Sequence, residues 1–300
     1  MIFQGVIPVV VTWFTSDDQL DLKTQAEHLD FLINAGVDGL FLQGSSSEFA
    51  YLSTEERKRH MGESIAHVAG RLPVLIGVSA NTTRESSELA REAERSGADG
   101  VMAVSPYYWV LGEDALIRHF AEIAEKTSLP LLAYNFPALT GHDLDASLLQ
   151  KLLRVVPGLA GIKNTVDSLS HIREIIQAIK PSNPHFSVLA GFDEYLLPTL
   201  AAGGDGIIGA TANFAPEVTV ALKRAFADKD FDELLIRHRQ VCELMRLFRL
   251  AKPPVAAIKE ASVLAGIQGR PLVRAPLPGL SEEQRQAVRA CLQAAKVKGI

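Results

Sequence analysis

Short apolar runs recur along the chain, and amphipathic stretches fill the gaps between them. The runs cover residues 5–12, 39–43, 73–78, 100–104, 130–134, 159–162, 186–190 and 206–210. They are rich in Val, Ile and Leu and bounded by Gly, Pro or Asp, which predicts short buried strands. The stretch 22–35 sets Ala26, Leu29, Leu32 and Ile33 on one helical face. Stretches 54–68, 83–96, 113–127, 145–155 and 168–179 follow a similar pattern and predict helices.

Punctuation supports these boundaries. Ser53-Thr54-Glu55-Glu56 reads as a capping box, with Ser53 as N-cap and Glu56 reaching back. Gly36-Val37-Asp38-Gly39, Gly97-Ala98-Asp99-Gly100 and Gly203-Gly204-Asp205-Gly206 repeat one device, a glycine ending a helix and an Asp-Gly entering a strand. A regular alternation of strand and helix implies parallel strands covered on both faces. Eight such strands, spaced by about 30 residues as a β-α unit requires, point to an α/β fold of the TIM (β/α)8 barrel type. The first strand-helix junction, Trp13 to Asp18, has no Gly-x-Gly-x-x-Gly loop, which counts against a dinucleotide fold. After Asn213 only helical patterns remain, over 216–226, 232–250, 254–264 and 281–296. The expected organisation is a catalytic barrel over residues 1–228 and a C-terminal helical extension over 229–300. That extension could pack against the barrel, cap it or build a subunit contact.

A chain of 300 residues is long enough for one large core. With 47% hydrophobic and 22% charged residues its composition is that of an ordinary globular protein. A net charge of -5 and the absence of charge runs give no nucleic-acid signature. Cys242 and Cys291 stand far apart in helical patterns, so buried free thiols are expected rather than a disulfide or a metal pair. No apolar stretch reaches ~18 residues, so no membrane span is expected. Met1-Ile2-Phe3-Gln4-Gly5 lacks the pattern of a signal peptide, and a cytoplasmic location fits.

Candidate chemistry gathers at the carboxyl ends of the strands, where barrel sites form. Strand two ends in Gly44-Ser45-Ser46-Ser47-Glu48, strand four in Ser105-Pro106-Tyr107-Tyr108-Trp109, and strand five in Tyr134-Asn135-Phe136-Pro137. Strand six ends in Lys163-Asn164-Thr165, and strand eight leads to Thr211-Ala212-Asn213. A lysine ending a buried strand is costly unless it is paired or used. Its free amine can attack the carbonyl of a 2-oxo acid to form a Schiff base. Tyr134, on the adjacent strand, can relay protons, and Ser45 and Ser46 can donate to a carboxylate. A protonated imine withdraws electrons from the neighbouring C–C bond, so this chemistry needs neither metal nor cofactor. The eight histidines are scattered without a His-Glu-x-x-His or cysteine cluster. A glycosidase pair drawn from Glu48, Asp167, Asp193 and Glu194 stays open.

Over essentially its whole length the chain resembles the dihydrodipicolinate synthase/N-acetylneuraminate lyase family of class I, pyruvate-linked lyases. Gly44-Ser45-Ser46-Ser47-Glu48 resembles that family's Gly-Ser/Thr-Thr-Gly-Glu motif, with Ser47 in place of the usual glycine and a tighter or shifted turn expected there. The resemblance implies that Lys163 forms the imine, Tyr134 is the general acid/base, and Ser45 belongs to the proton relay. It implies that Gly44 and Ser46 belong to the segment holding the pyruvate carboxylate, and that the backbone carbonyl of Ile208 faces the pyruvyl group. Tyr107 matches a tyrosine that completes the relay of a neighbouring subunit, so a homotetramer built as a pair of dimers is expected.

Synthases of this family usually carry an arginine two residues after the proline of the Tyr-Asn segment, to hold the carboxylate of aspartate semialdehyde. Here that position is Leu139, which cannot make a bidentate, charge-assisted contact. The segment 134–141 and Pro106 to Trp109 instead resemble the aldolases of 2-keto-3-deoxygluconate and 2-dehydro-3-deoxy-D-pentonate. The resulting expectation is cleavage of a 2-keto-3-deoxy sugar acid to pyruvate and a sugar-derived aldehyde. Thr165 would contact a substrate hydroxyl, with Asn164 and Thr211 as further candidates. A synthase, an N-acetylneuraminate lyase, a family dehydratase and an inactive 2-oxo-acid-binding regulator are the alternatives.

Overall fold

The computed structural model describes residues 3–297 and Gly299. Met1, Ile2, Lys298 and Ile300, which the expected organisation includes, lie outside the described residues. Eight parallel strands form the centre: β1 (Gly5–Pro8), β2 (Leu40–Leu42), β3 (Val74–Gly77), β4 (Gly100–Val104), β5 (Leu131–Asn135), β6 (Leu159–Asn164), β7 (Ser187–Ala190) and β8 (Gly206–Gly209). From β2 to β8 each strand pairs with the next in sequence, and β8 pairs with β1. The Val10 N–H donates to the Phe41 carbonyl at 2.9 Å beside a Val9–Phe41 bridge, which brings β1 against β2 and closes the TIM barrel.

The helices around it are α1 (Leu22–Asn34), α2 (Thr54–Val68), α3 (Thr83–Ser96), α4 (Glu113–Ala124), the short α5 (Pro137–Thr140), α6 (Ala146–Val155), α7 (Leu169–Ile179), α8 (Leu196–Ala201) and α9 (Pro216–Asp228). Then follow α10 (Phe231–Leu244), α11 (Val255–Leu264) and α12 (Glu282–Ala294). Helix α8 had no counterpart among the expected helices: it is short and carries Pro198, so its apolar spacing is weak. The long expected helix 232–250 breaks after Leu244 into a 3-10 turn over Met245–Arg249. Among the described residues no helix is long and apolar enough to cross a membrane. Cys291 is buried, but Cys242 is exposed, correcting the expectation of two buried thiols, because α10 turns that position outward.

Alternation along the strands divides the core into two layers. Ile7, Phe41, Leu75, Met102, Leu132, Tyr134, Leu189 and Ile208 fill the barrel interior. Val6, Leu40, Leu42, Val74, Val101, Leu131, Ala133, Ile162 and Val188 face the helices. One irregularity matters for the site. Leu131 pairs with Leu159, yet the next residue, Leu132, pairs with Gly161, so Ala160 is an extra residue in β6. Leu159 and Ile162 therefore both face the helices. An unbroken strand would have put Lys163 on the same outer face as Leu159. The bulge turns it inward, in register with Tyr134.

The repeated Gly-x-Asp-Gly segments also share one job. Gly36, Gly97 and Gly203 have φ of +82°, +86° and +89°, the left-handed region that glycine adopts without a Cβ penalty. Asp38, Asp99 and Asp205 each accept from the first free N–H of the preceding strand, at Val6, Val74 and Val188, with distances of 2.7, 2.8 and 2.7 Å. These ties lie at the amino ends of the strands, where they stabilise the barrel and leave the opposite rim to chemistry.

Candidate active site

At the carboxyl ends of the strands a cavity of about 590 Å³ opens. Lys163, Tyr134, Ser45, Ser46, Tyr107, Thr165 and Leu139 all line it. Lys163 is 3% exposed, and its Nζ lies 4.2 Å from the Tyr134 ring centroid and 5.4 Å from that of Phe41. The Tyr134 hydroxyl is hydrogen-bonded to Ser45 Oγ at 3.3 Å. The amine thus lies over the phenol ring, and the phenol hydroxyl reaches the serine, on a largely apolar wall that also carries Thr165 and Asp193.

The loop carrying Ser45 and Ser46 is held rigidly. It forms a 3-10 turn over Ser45–Ser47, flanked by Gln43 and Glu48 at φ of 60° and 58°. Two non-glycine residues in that region need surroundings that impose it. Ser47 accepts from the Gly44 N–H at 3.0 Å and donates from its hydroxyl to the Val10 carbonyl, while Thr12 Oγ1 donates to the Ser47 carbonyl at 2.8 Å. The serine that replaces the usual glycine therefore cements the turn. Gly44 does not line the cavity: a Cβ there would come within 2.5 Å of Phe41 and Val9, so glycine is needed for close packing. From below, Arg57 of α2 donates to the Gly77 and Ser79 carbonyls at 2.7 and 2.8 Å and to Gln43 at 3.0 Å. Burial lowers the pKa of its guanidinium to about 10.

Ile208 packs its side chain into the barrel interior, while the next two residues, Gly209 and Ala210, reach the cavity wall. Asn164 and Thr211 do not line it. Asn164 faces away from the barrel axis, and Thr211 donates to Asp193 at 2.6 Å. Thr165 is different: its hydroxyl is buried at the cavity wall without a protein hydrogen-bond partner. A buried hydroxyl left unpaired in the protein is well placed to meet a substrate oxygen.

Asp193 reaches the wall from the turn after β7, accepting also from the Ala210 N–H at 3.0 Å. Burial raises its pKa, opposed by the hydrogen bonds from Thr211 and Ala210 and by the charge of Lys163. The sequence offered it only as one of four strand-end carboxylates. Of the others, Glu48 also lines the cavity but is paired with Lys259, and Asp167 accepts from the Tyr195 hydroxyl at 2.6 Å. Glu194 carries a buried oxygen without a partner but does not line the cavity. No group of three or more His, Cys, Asp or Glu that could hold a metal ion occurs among the described residues.

The outer wall comes from the C-terminal helices and their connections: Met245, Phe248, Pro253, Pro254, Val255 and Leu277. Periodicity alone could not reveal this, because the spacing of these residues records only that they are apolar. Among the described lining residues, Lys163 is the one lysine or arginine.

Residues 2–295 match the dihydrodipicolinate synthetase family. The chain is 43% identical to YagE of Escherichia coli K12, whose naming as a 2-dehydro-3-deoxy-D-gluconate aldolase is provisional, over 99% of this chain and 98% of YagE. It is 39% identical to YjhH of the same organism, provisionally a 2-dehydro-3-deoxy-D-pentonate aldolase, over 97% of each chain. The structure of YagE in complex with pyruvate superposes with a TM-score of 0.97, covering 99% of this chain and 100% of that one. Dihydrodipicolinate synthase from Aquifex aeolicus, 27% identical, superposes with a TM-score of 0.92 over 98% of this chain and 99% of its own. With the match spanning the barrel and the C-terminal helices alike, the chain belongs to the dihydrodipicolinate synthetase family.

Proposed function

We propose that the protein is a Schiff-base aldolase that cleaves an unphosphorylated 2-keto-3-deoxy sugar acid to pyruvate and an aldehyde. The observation that carries this reading is the in-register pair Tyr134–Lys163, with the Lys163 amine 4.2 Å from the tyrosine ring and the tyrosine hydroxyl bonded to Ser45. The free amine of Lys163 attacks C2 of the keto acid, and loss of water gives the imine. Tyr134 takes the proton of the C4 hydroxyl, the C3–C4 bond breaks toward the imine, and the aldehyde leaves. The enamine left on Lys163 is protonated at C3, and hydrolysis of the imine releases pyruvate. Ser45 passes protons to and from Tyr134, while Ser46 holds the carboxylate from the neighbouring turn position. The pyruvate bound in the YagE structure supports the closing half of this scheme, where pyruvate is formed.

The choice of partner rests on charge. A phosphate or second carboxylate on the departing fragment would find no cation beyond Lys163 on the described wall, and Leu139 stands at the rim with 60% of its surface exposed. Desolvating such an anion without a partner is costly. Hydroxyl groups, in contrast, can meet the Thr165 hydroxyl. The matching assembly is a homotetramer in which Tyr107 of one subunit completes the relay of its neighbour, a state that sedimentation velocity would test. Borohydride reduction in the presence of pyruvate tests the chemistry: a stable adduct on Lys163 is expected, and an unlabelled enzyme would overturn it. Pyruvate release from 2-keto-3-deoxygluconate, 2-keto-3-deoxypentonate and N-acetylneuraminate, set against condensation of pyruvate with aspartate semialdehyde, tests the substrate. Turnover in the condensation alone would sink the sugar-acid assignment.

A further inference from the structure

One residue beyond the inward-facing pair, the strands carry a second pair that points the other way. Asn135 follows Tyr134, Asn164 follows Lys163, and the two asparagines are themselves in register. Both are 1% exposed, and neither lines the cavity. Their side chains belong to a closed ring. Asn135 Nδ2 donates to Asn164 Oδ1 at 2.9 Å and to Asp143 Oδ1 at 2.8 Å. Asn164 Nδ2 meets His171 Nδ1 at 3.0 Å, and His171 Nε2 meets Asp143 at 3.0 Å.

The direction of every bond in the ring follows from one backbone group. The Leu144 N–H can only donate, and it lies 2.9 Å from Asn135 Oδ1. That fixes the Asn135 amide with its NH₂ toward Asp143 and Asn164. Asn164 must then present its oxygen to Asn135 and its NH₂ to His171. His171 Nδ1 is therefore the acceptor, and its proton resides on Nε2, facing Asp143. A second proton on Nδ1 would set an N–H against an NH₂. Turning the Asn164 amide over would move the same conflict to Asn135, which Leu144 holds in place.

We propose that Asn135, Asn164, His171 and Asp143 form a clasp that holds the ends of β5 and β6 together so that Tyr134 faces Lys163, and that protonation of His171 opens it. These are positioning residues, acting through the catalytic pair, and the proposal rests on the aldolase reading. The charged groups acting on His171 are Asp143, Asp145 at the start of α6, and Glu174 on its own helix. All are acidic, and the hydrogen bond to Asp143 above all raises the pKa of His171. The ring opens as the pH falls through that raised value. Asp143 then keeps its hold on the imidazolium, while the link between His171 and Asn164 is lost.

The test uses pyruvate alone, so it does not depend on the aldehyde. Exchange of the pyruvate methyl protons with deuterium requires a C3 proton to leave the imine and a deuteron to return to the enamine. In the wild type its rate should fall on the acid side with a limb governed by His171. His171→Phe should lower the neutral rate by roughly 10- to 100-fold, as a misplaced catalytic group does, and should lack that limb. Asp143→Asn, at a half-exposed position, removes the charge and should move the limb to lower pH. Borohydride trapping on Lys163 should persist in both variants. Wild-type rates and pH dependence in His171→Phe, or an unmoved limb in Asp143→Asn, would overturn the clasp while leaving the Schiff base standing. Absence of trapping in the wild type would instead overturn the aldolase reading itself.

Discussion

Lys259 of α11 forms an ion pair with Glu48 at the end of the serine loop, and both side chains have 0% exposure. The ammonium also donates to the Leu272 carbonyl at 2.6 Å, and the second carboxylate oxygen accepts from the Arg274 N–H at 2.8 Å. Phe14 packs between the charges, with its ring centroid 4.4 Å from Lys259 Nζ and 4.4 Å from the Arg274 guanidinium carbon. The C-terminal helices are thus tied to the loop that presents Ser45 and Ser46.

Removing one partner leaves an uncompensated buried charge, a loss of about 3–5 kcal/mol. Glu48→Gln should therefore lower the urea midpoint sharply, and a double substitution to apolar residues of similar size should recover much of it. Recovery no better than the single variant would contradict the pairing.

The same lysine makes a pH prediction. Burial lowers its pKa from 10.5 to about 8, against the pull of Glu48. The unfolded chain then holds this proton more tightly than the folded one, so stability contributed by Lys259 rises with pH across the window from about 8 to 10.5. In urea melts the advantage of wild type over Lys259→Met should widen as the pH rises through that window. A wild-type advantage that grows as the pH is lowered through this window would count against the depressed value.

At the reacting end, Lys163→Ala should abolish borohydride trapping of pyruvate. Tyr134→Phe should retain a trappable adduct yet lose about 10²- to 10⁴-fold in turnover, the range for a general acid/base. Normal turnover in Tyr134→Phe would move the proton transfer to another group.

Ser47→Ala deletes the hydroxyl that accepts from Gly44 and donates to Val10. Leaving buried backbone groups unpaired costs about 1–3 kcal/mol. Chemical denaturation should register that loss, together with weaker pyruvate binding as the turn loosens. An unaffected midpoint would show that water or a shifted turn replaces the hydroxyl.

Leu139→Arg places a cation at an exposed rim position. Stability should change by less than about 0.5 kcal/mol, as at most surface sites. The KM for an anionic aldehyde such as aspartate semialdehyde should fall. An unchanged KM for that aldehyde would mean that charge at this position does not select the partner.

Much of this protein follows from local pattern. The eight strands, most of the helices, the Ser53–Glu56 capping box and the three Gly-x-Asp-Gly turns depend on side chains close in sequence, and they occur where they were read. Lys163, Tyr134, Ser45 and Thr165 were legible because each ends an apolar run, and a parallel barrel gathers such ends on one rim. Leu139 was legible as a missing cation.

Tertiary structure decided the rest. Lys163 shares the parity of Leu159, so alternation alone points it at the helices; the extra residue at Ala160, visible only in strand pairing, turns it inward. Glu48, at the cavity wall, became the partner of a lysine 211 residues away rather than a free acid. Asn164 turned from the cavity into a ring with His171 and Asp143, because a strand sends successive side chains to opposite faces. Sequence by itself determined which groups reach the rim. Their direction and partners required the closed barrel, because register, bulges and contacts between distant segments depend on how strands pair and not on their own residues.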